Sequence, residues 1–205
     1  MLSFIAVYGN TASTHPQQSL NQLVFNNKHF SESHQEEIYA LNKGQSPPTM
    51  VLTCSDSRVS TEILTEAQLG DLFVHRNVAN LFNENDDSVK SALFYSTNVL
   101  KVKKIAVIGH TECGGVKHAL ELNAGEHNGE KDVIMGPLNR YVASVQNLIV
   151  NKYDYSVNNA RVNILSERNV RSNVMRIKNS PMVAKGIIVE GYMYSLANGT
   201  LIRVV

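Results

Sequence analysis

The segment Thr49-Met50-Val51-Leu52-Thr53-Cys54-Ser55-Asp56-Ser57-Arg58 sets the architecture. It opens on a short apolar run with β-branched members, the pattern of a buried strand that ends at Cys54. Downstream, Ser60 to Leu69 reads as a helix stopped by Gly70. Asp71 to His75 reads as a second strand, and Val89, Ala92, Leu93, Val99 and Leu100 mark an amphipathic helix. Lys104 to Ile108 is a third strand ending at Gly109-His110, followed by a helix from Gly115 to Leu122. Val133 to Tyr155 is mostly helical, with Pro137 near the helix start, and Ser166 to Ile177 carries Val170, Val174 and Ile177 on one face. Gly186–Tyr194 and Leu201–Val205 read as a hairpin, with Asn198-Gly199 as a type I′ turn signal. Upstream, Thr14-His15-Pro16-Gln17 has the form of a helix start. Leu20, Leu23 and Val24 give that helix an apolar stripe. A second polar helix covers Ser33 to Leu41 and ends at Gly44, Pro47 and Pro48.

Strands alternating with helices call for right-handed crossovers. The expected fold is α/β: a mostly parallel central β-sheet with flanking helices, an N-terminal helical arm (1–43) and a C-terminal hairpin edge, the main domain being 44–205. In such sheets, ligands bind beyond the carboxyl ends of the strands. Cys54 follows one strand, while His110 and Cys113 follow another, so both groups should emerge on one rim.

The composition narrows the function. The chain has 205 residues, 43% of them hydrophobic and only 18% charged, which excludes a charge-driven disordered protein. Nineteen Lys and Arg against eighteen Asp and Glu leave a net charge of +1, so nucleic acid is not an expected partner. No apolar run approaches the roughly 18 residues that span a bilayer, so no membrane partner is expected. Leu2 to Tyr8 is apolar but lacks a basic flank. A cytoplasmic location is expected, export being the alternative if this segment is a signal remnant.

Two cysteines are too few for a disulfide scaffold, and each lies among other metal-capable or charged residues. One cluster is Cys54-Ser55-Asp56-Ser57-Arg58; the other is His110-Thr111-Glu112-Cys113-Gly114-Gly115. Two thiolates and an imidazole suit Zn²⁺, and three protein ligands leave a fourth position open, as catalytic zinc sites do. In an extended loop Cys54, Asp56 and Arg58 share a direction. Asp56 then either binds the ion as a fourth ligand in a closed state or pairs with Arg58 and leaves that position free. Gly114 and Gly115 let the backbone turn closely past the metal into a helix.

These residues resemble the β-class carbonic anhydrases, whose Cys-x-Asp-x-Arg and His-x-x-Cys-Gly motifs are both intact here. The resemblance continues through Phe73-Val74-His75-Arg76-Asn77-Val78-Ala79-Asn80, Leu100 to Lys104, and Gly191 to Gly199. It implies Zn²⁺ held by Cys54, His110 and Cys113, with Asp56 and Arg58 as a catalytic dyad. The implied enzyme is a carbonate dehydratase, a zinc-dependent lyase hydrating CO₂ reversibly to bicarbonate and a proton by zinc-hydroxide attack. Gln45 matches a glutamine that hydrogen-bonds substrate or product in plant-like members, and Gly114 is the other expected substrate contact. In carbonic anhydrases with three histidine ligands the ion brings the pKa of its water towards ~7. Two thiolates donate more charge, so higher activity on the alkaline side is expected.

Val51 stands where some bacterial members carry a tryptophan tied to a bicarbonate switch that moves the aspartate onto zinc, so the open form is expected. The family also implies a homodimer or homotetramer whose N-terminal helices reach a partner subunit, a role suited to Leu20, Leu23, Val24 and Phe25. His118 is expected to be exposed. Alternative readings are a hydrolase of carbonyl sulfide or carbon disulfide on the same fold, a non-catalytic zinc-binding protein, and a thiol–disulfide protein using both cysteines. The last lacks a Cys-x-x-Cys pair and leaves His110 unexplained.

Overall fold

A computed structural model describes residues 18–125, 131–151 and 156–205. The expected helix start at Thr14 to Gln17 lies outside them. The chain divides into two compact units, Met1–Gly44 and Gln45–Val205.

In the first unit, α1 (Leu20–Ser33) begins at Ser19, whose hydroxyl accepts from the Gln22 amide at 3.2 Å. After His34 the chain continues into α2 (Gln35–Leu41). Neither helix contains a buried residue.

The second unit is built on five strands in the order β2-β1-β3-β4-β5. They are β1 (Thr49–Cys54), β2 (Leu72–Asn77), β3 (Lys104–His110), β4 (Ile188–Tyr194) and β5 (Leu201–Arg203). The first four are parallel, and β5 returns antiparallel on β4. This is the expected α/β architecture. The connection between β4 and β5 runs from Ser195 to Thr200 and is longer than a two-residue turn. Gly199 supplies a positive φ, and its amide donates to the Ser195 carbonyl at 2.8 Å.

Helix α3 is a single turn, Thr61–Leu64, and not the ten residues expected. Glu66 takes a left-handed φ of 53°, and the Thr65 hydroxyl turns back onto the Thr61 carbonyl, closing the helix early. Helix α4 (Asp87–Phe94) runs on into a π-turn, Tyr95–Val99. Helix α5 (Gly114–Asn123) leaves β3, and α6 (Lys131–Gln146) carries Pro137 within it rather than at its start. Helix α7 (Asn159–Lys178) begins about two turns earlier than expected, because the Asn158 side chain accepts from the Arg161 amide.

One face of the sheet packs on α4 and α7. Met50, Leu52, Ile105, Val107, Val189 and Met193 meet Val89 and Leu93 of α4 and Val170, Val174 and Ile177 of α7. Helix α7 comes close because Gly109 and Gly191 lack side chains. A Cβ on Gly109 would sit 2.5 Å from Val170 Cγ2, and one on Gly191 would sit 2.7 Å from Val170 Cγ1. A second apolar cluster gathers Cys54, Cys113, Ala79, Val116, Ala119, Val142, Val145, Val162 and Leu165 where α5, α6 and α7 meet. No helix among the described residues is long and apolar enough to cross a membrane.

Candidate metal centre

Strands β1 and β3 are paired neighbours running the same way, and each ends on a candidate ligand. Cys54 is the last residue of β1 and His110 the last of β3; Cys113 follows one turn later, immediately before α5. The two motifs, 56 residues apart in the chain, thus converge on one rim of the sheet. The Cys54 and Cys113 sulfurs and a ring nitrogen of His110 lie within 4.8 Å of one another, and all three residues are buried.

The donor set fits a tetrahedral zinc ion on two counts. The sulfurs are 3.9 Å apart and both cysteines are free. Two thiolates at about 2.3 Å from a tetrahedral ion would be about 3.8 Å apart. His110 Nδ1 bonds the Thr111 carbonyl at 2.8 Å, which fixes the proton on Nδ1 and leaves the Nε2 lone pair for a metal. Nε2 is buried with no hydrogen-bond partner. An acceptor left unpaired in a dry interior is costly unless an ion satisfies it.

The surroundings favour thiolate. Cys54 is held well below the usual thiol range, first by the hydrogen bond from Cys113, then by His110 and the backbone at Asp56, against the cost of burial. Cys113 is pushed up by that same bond and by burial, while the amides of Gly115 and Val116 in the first turn of α5 pull it down. Holding a metal ion there requires both sulfurs as thiolates.

Asp56 faces Arg58 and not the metal ligands. Its Oδ1 accepts from the Arg58 amide and from Nε, both at 2.9 Å, and Oδ2 accepts from Nη2 at 2.7 Å. The fork holds the Asp56 carboxyl down at about 2, the hydrogen bonds from Arg58 being the largest cause. Oδ2 remains 3.9 Å from His110 Nε2, beside the donor triangle without completing it.

The loops carrying these groups are tied down by residues whose part was not visible in the motifs. Arg76 at the end of β2 donates from Nε to the Cys54 carbonyl (3.2 Å) and from Nη2 to the Asp56 carbonyl (2.8 Å). Glu112 is left-handed, with φ 55°, and its amide donates to Asn163 Oδ1 at 2.7 Å. Thr111 donates its amide to Tyr194 and accepts at its hydroxyl from Leu196. Arg76 and Tyr194 lie in the stretches that carry the family resemblance, whereas nothing in the sequence marks Asn163, which only the fold brings to the second motif.

Gly114 is the first residue of α5, beside Cys113. Gln45 is exposed in the loop before β1, at the amino end of the strand that Cys54 closes. Six residues of strand span about 20 Å, so this chain's Gln45 is not among the groups gathered at the rim. His118 is buried, contrary to the expectation of exposure: α5 turns it towards α6, where Nε2 meets Asn139 Oδ1 at 2.7 Å.

A family model described as carbonic anhydrase matches residues 49–201. The carbonic anhydrase of Candida albicans is 33% identical over 95% of this chain and 77% of its own length. The Coccomyxa β-carbonic anhydrase, solved in complex with acetazolamide, is similar with a TM-score of 0.78 and 26% identity over 92% of this chain and 87% of that one. A tetrameric β-carbonic anhydrase from Sordaria macrospora gives a TM-score of 0.77 and 26% identity over 90% of this chain and 95% of that one.

Proposed function

Because the chain belongs to the β-carbonic anhydrase family, we infer that its centre hydrates carbon dioxide reversibly to bicarbonate and a proton, and we propose how its residues divide the work. The enzyme is a carbonate dehydratase whose cofactor is zinc, held by Cys54, His110 and Cys113. Bound there, zinc supplies the Lewis acidity that makes water a nucleophile near neutral pH. The observation that carries the reading is the buried, unpartnered Nε2 of His110 facing two free sulfurs.

In this reading, Asp56 orients the attacking water. With its carboxyl near 2 it stays ionised at working pH, so it accepts a hydrogen bond and does not act as an acid. Arg58 occupies the carboxylate and keeps it turned from the ligands. Arg76 holds the loop carrying both. Gly114 offers a backbone amide at the start of α5 for a substrate oxygen. Gln45, lying at the far end of β1, would meet substrate in the centre of a second copy. The proposed assembly is a homodimer or homotetramer in which the exposed Leu20, Leu23, Val24 and Phe25 of α1 meet a partner.

The test is stopped-flow CO₂ hydration of wild type and Asp56→Ala with zinc measured on both, and carbonyl sulfide offered in parallel. The expected result is one zinc per chain in both proteins, with turnover on CO₂ reduced about 10²–10⁴-fold in the variant. Unchanged turnover would remove the role of Asp56. Hydrolysis of carbonyl sulfide with no CO₂ hydration would replace the substrate.

A further inference from the structure

Between the two ligand-bearing loops lies a third segment that donates nothing to the metal. After β2 the chain makes a tight turn, Val78–Asn80, in which both Ala79 (φ 62°) and Asn80 (φ 48°) are left-handed without being glycine. It lies against both ligand loops. On one side the Ser55 amide, next to Cys54, donates to the Asn77 carbonyl at 3.0 Å. On the other, the first turn of α5 presses on it: a Cβ on Gly115, two residues after Cys113, would be 2.6 Å from Val78 Cγ1 and 3.1 Å from the Ala79 Cβ. Ala79 is fully buried in the same cluster as both cysteines.

Two left-handed residues in a row do not hold themselves in place; neighbouring structure must enforce them. Here α7 does so. Asn169 Nδ2 donates to the Ala79 carbonyl at 2.8 Å. One turn on, Asn173 Nδ2 donates to the Asn80 carbonyl at 3.2 Å, and its Oδ1 accepts from the Phe82 amide at 3.1 Å. One turn further, Arg176 Nη1 donates to the Phe82 carbonyl at 3.1 Å. The two asparagines are also bonded to each other at 3.0 Å, and both are almost wholly buried. The spacing of 169, 173 and 176 puts the three on one helical face, so the grip works as a unit.

We propose that Asn169 and Asn173 are positioning residues for the metal centre: by clamping the left-handed Ala79–Asn80 segment they set the separation of Cys54 from Cys113. They touch neither metal nor substrate and act through the turn wedged between the ligand loops. The inference rests on the zinc reading above. Distant partners of this kind tune metal sites because ligand geometry is only as exact as its support, and losing one typically weakens binding 10–100-fold.

The test is zinc affinity by chelator competition, with the absorption spectrum of the cobalt-substituted protein, on wild type, Asn169→Ala and Asn173→Ala. Asn98→Ala is the control. It removes another long-range side-chain bond to backbone, from Asn98 to the Met182 carbonyl, which has no connection to the ligand loops. The expected result is zinc held about 10–100-fold more weakly in both asparagine variants, with a shifted cobalt–thiolate band. In Asn98→Ala both should stay at the wild-type value even if it melts earlier. Wild-type affinity and spectrum in the folded asparagine variants would overturn the proposal, as would an equal loss in Asn98→Ala. Should either alanine variant not fold, Asn169→Ser carries the same readouts: a weaker loss in the same direction supports the clamp, and no loss removes it. Wild type that binds no zinc would instead overturn the zinc reading itself.

Discussion

A single residue, Ser57, separates Asp56 from Arg58, and the guanidinium reaches both carboxylate oxygens while the Arg58 amide takes one of them as well. Three donors on one acceptor group decide where the carboxylate points. Removing the fork while keeping a polar side chain should free Asp56 to swing towards the ligands, since its Oδ2 is already 3.9 Å from His110 Nε2. Arg58→Gln is therefore expected to keep its zinc and lose about 10–100-fold in kcat/KM for CO₂. Stopped-flow assay and metal analysis check this, and full activity would show that the fork does not hold the aspartate in its working position. Lysine would be no substitute, because a single ammonium cannot reproduce the two parallel bonds.

At the level of elements, the centre depends on how closely α7 lies on β3 and β4, and that depends on glycine. Gly109→Ala would thrust a methyl to 2.5 Å from Val170 Cγ2 and 3.2 Å from Met193 Sδ, within a packed cluster. The expected cost is about 1–3 kcal/mol in denaturant unfolding. Wild-type stability would mean that the helix shifts without penalty. The strands that carry the ligands were legible in the sequence because buried parallel strands are short runs of Val, Ile and Leu, and both ligand motifs begin where such runs stop. Helix α3 was overread because nothing in Thr65-Glu66-Ala67 announces a left-handed Glu66. Asn198-Gly199 fits a two-residue turn and the six-residue connection before β5 equally well, so its length is not legible in the sequence. The grip of Asn169 and Asn173 on Ala79 and Asn80 was not legible at all: it joins residues about 90 positions apart, and a buried asparagine on a helix looks like any polar residue until the fold shows what faces it.

On the scale of the whole molecule, a net charge of +1 leaves no large overall excess of either sign. The apolar surface is more telling. Helix α1 exposes Leu20, Leu23, Val24 and Phe25, and in the second unit Phe94, Tyr95 and Val99 border a groove of about 660 Å³ that contains none of the ligand residues. Surfaces of this kind are usually covered by a partner. Sedimentation of the zinc-loaded protein should give a dimer or tetramer, and Val24→Glu should shift it towards smaller species. A wild-type monomer at all concentrations would contradict that assembly. The centre as a whole stands on two sulfurs and one imidazole meeting at a single ion. X-ray absorption at the zinc edge of the purified protein reads that directly: two sulfur donors at about 2.3 Å, the remaining donors being nitrogen or oxygen, are expected. A zinc ion with no sulfur donors, or one bound by four, would contradict it.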